Sequence, residues 1–482
     1  MGAALPWNLR LREAAKALRF TDAIALYQDM LRGGASPDAF TFPFVFKSCA
    51  ALILPLTGSQ IHSHSLKLGC FLDPFVHTSM ITWYCRCGML DNARKVFDEH
   101  NSILKLRISY NALISGLSQN AVASDVIHLF REMLGFSIAM DEVTVLGLSP
   151  IISIPGNPVL GTCVHSLCLK LGLDSFPSIS NSFLTMYMKN GEIPSAEILF
   201  DEMPQRQLIS WNAMINGYSQ NGLAHEALKL YHKMKANSVT PDATTLVGVI
   251  SSCASLGERS FIDELEEDAK PYKVNPFITT GLINMHGRCG NLAKAREIFN
   301  ESETKTLTTW TALMSAYGAH GEGEIAAEVF EEMIEKGVRP DETAFVCVLS
   351  ACSHCGLMTK AFEVIEMMER SEMEVGREHL SCIVDMLGRA GKVEEGLKVI
   401  ERMKEKADGA VWGALLNACR LHGNVGVAET AFHRAVEIDP ANEGYYSLLG
   451  TVYRESGDAD GAIRVHNLMR ARCLLKGIAC SY

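Results

Sequence analysis

The sequence lacks any run of residues long and apolar enough to cross a membrane. Its most apolar stretch, 143–173, is interrupted by Pro150, Pro155 and Pro158, too closely spaced for a spanning helix of about 20 residues. An excess of positive charge is also missing: 44 Lys and Arg stand against 55 Asp and Glu, a net charge of −11. A protein that coats nucleic acid without selectivity draws its affinity from neutralised phosphates, so that class is disfavoured. Any contact with RNA has to rest on local basic groups and on contacts to bases. No low-complexity or one-sign tract of the kind that stays disordered is present. There is no secretory signal, phosphate-binding loop, dinucleotide fingerprint or nucleophile–base pair. Fifteen cysteines, an odd number, fall in no small-domain disulfide framework, which suits a reducing compartment.

What is present is an ordinary folded composition, 48% hydrophobic and 21% charged, over a length that two or three globular domains could fill. Charge is unevenly spread. Residues 1–120 hold 12 Lys/Arg and 8 Asp/Glu, whereas acidic residues cluster later, as in 258–268. The N-terminal part is therefore the better phosphate-facing candidate, and the later part is expected to face solvent or protein. Arg10, Arg12, Lys16 and Arg19 mimic an acid-poor targeting helix, but they lie inside the first repeat described next, where a packed helix is expected. Only residues 1–3 precede that repeat, so no separate transit peptide is visible.

Self-similarity dominates the chain. RISYNALISGLSQNAVASDVIHLFREMLGFSIAMD from Arg107, LISWNAMINGYSQNGLAHEALKLYHKMKANSVTPD from Leu208 and LTTWTALMSAYGAHGEGEIAAEVFEEMIEKGVRPD from Leu307 align over 35 residues without gaps, and a fourth copy starts at Ala4. Within one copy, Trp211, Met214, Ile215 and Tyr218 are spaced i, i+3, i+4, i+7, the apolar stripe of a helix. Asn221-Gly222 ends it. Leu223, Ala227, Leu230, Tyr231 and Met234 form a second stripe, Pro241 stops that helix, and Asp242 is placed to cap the next. A single helix pair cannot bury both stripes, whereas stacked neighbours can. Between these long copies lie variant copies from Ala39, Glu142, Ala243 and Glu342, and short copies from Pro74, Pro177 and Pro276, with a final short unit near Glu378. The short units turn at Gly88, Gly191 and Gly290. About fourteen helix-turn-helix units are expected.

The NALISGLSQN and NAMINGYSQNG helices, the MYMKNG and RCGNLAKAREIF short units, and ACSHCGL followed by HLSCIVDMLGRAGKVEEG resemble the plant pentatricopeptide repeat (PPR) family, in the class that alternates long, variant and short (P, L and S) repeats. The tail VWGALLNACRLHGN…AFHRAVEIDP…YYSLLGTVYRESG resembles that class's two tetratricopeptide-like C-terminal extension (E) motifs. The resemblance implies an all-α, right-handed superhelical α-solenoid, with a PPR array over 4–408 and extension motifs over 409–482. The chain ends at 477–482 about where the second extension motif closes, so the deaminase-like domain carried by many relatives is not expected.

The resemblance further implies recognition of single-stranded organellar RNA, one base per repeat, read by the fifth and last residues. Asn8 with Asp38, Asn111 with Asp141, and Asn212 with Asp242 each imply uracil, and Thr311 with Asp341 implies guanine. Asn181 with Gln207 leans to a pyrimidine and Thr280 with Thr306 to a purine. Thr78 would pair with Leu106 but for an insertion near 101–105. Pro43, Leu146, Val247 and Val346 cannot hydrogen-bond a base edge and are expected to read little. The implied site is 5′-UNNUNYUNRG-3′. A closing Asp is also a good helix cap, worth about 0.5–2 kcal/mol without any RNA, whereas the Asn and Thr positions sit off the apolar stripe with less structural reason. Trp7, Tyr110, Trp211 and Trp310 lie on the stripe and are expected to pack in the core.

The implied role is site recognition in RNA processing, as cytidine-to-uridine editing, with a deaminase and editing-factor proteins engaged in trans through the variant repeats and extension motifs. No cofactor, metal, membrane or catalytic role is expected. Intron splicing, transcript stabilisation and a protein-binding scaffold are the alternatives. The location implied is the mitochondrion, or alternatively the chloroplast. His320-Gly-Glu322 followed by Cys352-Ser-His-Cys355 imitates the zinc-deaminase pattern. Repeat register explains both pieces, because His320 falls where Asn120 and Asn221 sit, and Cys352 where Cys49 and Cys253 sit.

Overall fold

A computed structural model of the chain describes residues 4–99, 106–156, 158–370, 373, 376–401 and 407–471. The expected insertion near 101–105, residues 1–3 and the end at 477–482 lie outside these. Among the described residues there are twenty-eight α-helices, three single-turn 3₁₀ helices and no strand, and consecutive α-helices pair into fourteen hairpins. The all-α solenoid expectation holds. The chain divides into two compact units, Met1–Thr240 and Pro241–Tyr482.

In each unit the first helix of a hairpin packs on the first helices before and after it. In the first unit, Arg107–Gln119 lies between Pro74–Arg86 and Glu142–Ile152. In the second, Leu307–Ala319 lies between Pro276–Arg288 and Glu342–Cys355. The stripes explain this. Trp211, Met214, Ile215 and Tyr218 are buried, as are Ala227, Leu230, Tyr231 and Met234, so each hairpin shows apolar surface that its neighbour covers. Leu223 departs from the expected stripe: it precedes the second helix and is exposed. Pro150 lies inside Glu142–Ile152 rather than ending it, in the last turn. Arg10, Arg12, Lys16 and Arg19 are exposed while Leu11, Ala14 and Ala15 are buried, so the basic segment up to Lys16 is a packed amphipathic helix, Leu5–Lys16, with Arg19 in the turn before the next helix.

Two features set the repeat spacing. Glycines on the first helices permit close approach: a Cβ on Gly287 would come within 2.6 Å of the Ala316 Cβ, and one on Gly318 within 2.9 Å of the Ala351 Cβ. The C-terminal ends of the first helices also reach back to the preceding repeat. Asn120 donates to the Cys85 carbonyl at 3.1 Å and Asn221 to the Met188 carbonyl at 2.8 Å, and the His320 ring nitrogen lies 2.6 Å from the Gly287 carbonyl. Three sister positions do the same job. The turns that follow use left-handed backbone, at Gly222 and Gly321 but also at Ala121, whose φ is 58°.

Toward the C-terminus the hairpins continue through Gly409–His422 with Val425–Ile438 and Glu443–Glu455 with Ala459–Ala471. One core runs from Val384 through Trp412, Phe432 and Tyr446 to Val465.

Candidate nucleic-acid interface

The residues expected to read bases lie at two levels of the structure. Asn8, Asn111, Asn181 and Asn212 sit on first helices and are only 6–8% exposed. The structure buries them although they lie off the apolar stripe of the sequence. Their burial is compensated by hydrogen bonds, as a buried amide requires. Asn8 donates to the Asp38 carboxylate at 2.9 Å and Asn111 to the Asp141 carboxylate at 3.0 Å. Each pair brings together the fifth and last residues of one repeat across the junction with the next. Asp141, Asp242 and Asp341 cap the helices that follow them, Asp141 through Thr144, Asp242 through Thr245 and Asp341 through the Ala344 backbone. Cap and Asn partner are thus one and the same carboxylate at Asp141.

Electrostatics sharpen that group. Burial pushes the Asp141 carboxyl up, but bonds from the Thr144 backbone, the Thr144 hydroxyl and the Asn111 amide, with the charge of Arg107, outweigh burial and hold it below its ordinary value. It is a carboxylate at neutral pH.

The other expected pairs are less complete. Asn181 accepts from the Ser210 hydroxyl at 2.7 Å, while Gln207 is exposed and its side chain does not cap the helix it precedes. Half-buried Thr280 gives its proton to the Pro276 carbonyl at 2.7 Å, and Thr306 meets the Thr308 hydroxyl at 2.8 Å. Thr311 donates to the Thr308 carbonyl at 3.1 Å rather than to Asp341. Asn212 and Asp242 fall in different units. Tyr110, Trp211 and Trp310 are core residues as expected, but Trp7 is half-buried, with the Arg10 guanidinium 5.2 Å from its ring centre.

A cavity of about 360 Å³ opens beside the second of these pairs, with Asn111, Asp141, Ile108, Val143 and Arg86 in its lining. A second, of about 660 Å³, is lined by Thr280, Phe277, Val247, Arg288 and His320 among others. The apolar members were missed by the sequence reasoning. Leu5, Phe75, Ile108, Ile209 and Phe277 each stand three residues before a candidate reader and are all exposed. The signal was an apolar residue off the buried stripe, recurring in register. Charge differs between the units: the first holds 19 Lys/Arg and 18 Asp/Glu, the second 25 and 37.

Among the described residues no group of three His, Cys, Asp or Glu side chains converges on a point. His320 is occupied with the Gly287 carbonyl, and burial pushes the Cys352 thiol up to about 11.

Relatedness follows from sequence. A mitochondrial pentatricopeptide repeat-containing protein of Arabidopsis thaliana is 48% identical over 483 residues, taking in 100% of this chain and 78% of its own length. This chain belongs to the pentatricopeptide repeat family. PPR repeat models match 68–99, 108–138, 178–208, 277–305, 343–373 and 379–407, and a PPR repeat family model matches 206–255 and 305–354. A chloroplastic family member of Arabidopsis thaliana is 33% identical over 474 residues, which are 95% of this chain and 57% of that protein. Among solved structures, the PPR protein PPR10 from maize superposes with a TM-score of 0.64 at 18% identity, over 97% of this chain and 74% of that one. PPR10 in complex with an 18-nt psaJ RNA element superposes at 0.62 and 17%, over 97% and 79%. At these identities the likeness is one of fold.

Proposed function

We propose that this PPR protein binds single-stranded RNA sequence-selectively in an organelle and marks a site for processing, specifically cytidine-to-uridine editing by a deaminase supplied in trans. The observation that carries the reading is the Asn111–Asp141 pair. It lies in the lining of an open cavity between exposed Ile108 and Val143, with Arg86 in the same cavity. Such a cavity offers apolar surface to a base face, polar atoms to its edge and a cation to a phosphate. The RNA-bound form of PPR10 and the organellar names of the relatives support the same reading. Nothing in it requires bond-breaking by the protein.

The base readers are Asn8, Asp38, Asn111, Asp141, Asn212 and Asp242 for uracil, Asn181 and Gln207 for a pyrimidine, Thr280 and Thr306 for a purine, and Thr311 and Asp341 for guanine. The site is 5′-UNNUNYUNRG-3′. Residues 4–408 supply the array and 409–482 the extension motifs. The deaminase and accessory proteins dock on the variant repeats and extension motifs, which the exposed Leu56 and Val159 on second helices of the variant repeats support. The mitochondrion is the location proposed, the chloroplast the alternative. The acidic second unit favours a second reading, a protein-binding scaffold.

The test is selection from a randomised single-stranded RNA pool at fixed physiological salt, with wild type and Asn212→Thr. Uracil three bases apart, moving to guanine at one position in the variant, supports base reading. No enrichment at micromolar protein removes it and leaves the scaffold. Transcript sequencing of plants lacking the protein then separates editing from splicing: a single unedited cytidine is expected, and a retained intron would displace the editing role.

A further inference from the structure

Three of the buried Asn side chains have a hydroxyl partner in the following repeat. The Asn111 carbonyl oxygen accepts from the Thr144 hydroxyl at 2.7 Å, and the Asn8 oxygen accepts from Thr41 at 2.7 Å. The Asn181 oxygen accepts from Ser210, also at 2.7 Å. Thr41, Thr144 and Ser210 all occupy the third position of their repeats, and Thr41, Thr144 and Ser210 are fully buried. We infer that this hydroxyl is a positioning residue for base choice: together with the closing Asp it fixes which way round the Asn amide faces the groove. The inference rests on the base-reading proposal above.

The chemistry is a two-point key. An amide has two N–H donors and a carbonyl oxygen with two lone pairs. The Asp141 carboxylate takes one N–H and the Thr144 hydroxyl supplies one lone pair's partner. The Asp141 backbone N–H donates to the hydroxyl at 3.1 Å, which turns its single proton away from the backbone and between two acceptors, the Asn111 oxygen at 2.7 Å and the Asp141 carboxylate at 2.9 Å; the nearer Asn111 oxygen, which the carboxylate cannot satisfy, takes the larger share of it. Turning the amide over would set its carbonyl against a carboxylate. One donor and one acceptor therefore remain on the Asn, in a fixed sense, and a uracil edge presents a complementary acceptor and N–H. Without the hydroxyl the terminal torsion of Asn is broad, and the remaining pair loses its sense. The fourth long repeat supplies the contrast. There Thr311 replaces Asn and Ala344 stands at the third position of the next repeat, where Asp341 caps the backbone at 2.8 Å. A hydroxyl bonds the Asn in these three cases and is missing beside Thr311, while beside Thr280 the third-position Thr309 gives its proton to the Thr306 carbonyl at 2.6 Å instead.

A purely structural role is the rival, since Thr144 also completes the capping box of its helix. The two roles separate on base preference. Dissociation constants of the full chain would be measured for the ten-base site with each of the four bases at its fourth position, which faces Asn111. Thr144→Val should cut the preference for uracil over cytosine there about five-fold, leave the first and seventh positions unchanged, and be rescued by Thr144→Ser. Equal weakening for all four bases overturns the inference. So does an unchanged preference in Thr144→Val where Asn111→Ala abolishes it. No preference in the wild type sinks base reading itself. A gain-of-function pair decides the matter if Thr144→Val fails to fold. Thr311→Asn alone should raise uracil preference at the tenth base weakly, and Thr311→Asn with Ala344→Thr about five-fold more. No difference between them overturns the inference.

Discussion

Arg107 and Asp141 open and close the same 35-residue copy, and the Arg107 Nε lies 2.9 Å from the Asp141 carboxylate. With Thr144 and Asn111 on the same group, this contact overcomes the upward push of burial and depresses the carboxyl below its ordinary value of 3.8. A group depressed in the folded state contributes stability that is present above its unfolded value and lost as pH falls through the folded one. The urea midpoint of the wild type should therefore drop more steeply than that of Asp141→Asn as pH falls below about 4, with the two curves running parallel above about pH 5. Parallel curves throughout would show that Asp141 carries no such linkage. At neutral pH, Asp141→Ala should cost about 1 kcal/mol through the lost cap.

Glycine has opposite meanings at two helix positions. Gly287 faces Ala316 of the next repeat, where an added methyl collides, whereas nothing lies within 4 Å of a Cβ on Gly135. Gly287→Ala should destabilise by about 1–3 kcal/mol through overpacking. Gly135→Ala should stabilise by about 0.5 kcal/mol through helix propensity. Chemical denaturation of the two variants side by side checks the sign. If both shift the same way, the close approach does not constrain the stack.

Ala121 holds a left-handed φ of 58° where Gly222 and Gly321 stand in sister repeats. The Cβ costs about 1–2 kcal/mol in that conformation, and the extra freedom of an unfolded glycine returns part of it. Ala121→Gly should raise stability by about 0.5 kcal/mol, read as a higher urea midpoint. Destabilisation would mean the turn is held by the methyl group.

The zinc-deaminase imitation makes a separate prediction. Cys352 is fully buried with its thiol pushed up to about 11, and His320 is bonded to Gly287, so the thiol is not ionised and neither side chain is poised for a metal. The purified protein should carry no stoichiometric zinc by elemental analysis, and a thiol reagent should modify exposed Cys163 well before Cys352. One bound zinc per chain lost on Cys352→Ala would reverse this.

The repeating physics was legible from the chain alone. Apolar residues at helical spacing, glycines at the turns and a gap-free 35-residue register are local properties, so hairpins, buried Trp211 and Trp310, and the capping role of Asp242 could be read directly. Register also exposed the zinc pattern as repeat position, and His320 does act as Asn120 and Asn221 do. What only the tertiary structure decided is partnership. Asn111 meets Asp141 thirty residues away and Thr144 thirty-three away. Those separations close only because stacked hairpins bring the end of one repeat and the start of the next beside the first helix. For the same reason, the Asn side chains are buried and bonded although they lie off the apolar stripe. The exposure of Ile108 and Phe277 came from the same source: whether an apolar side chain is covered depends on the neighbouring repeat, which local sequence does not encode.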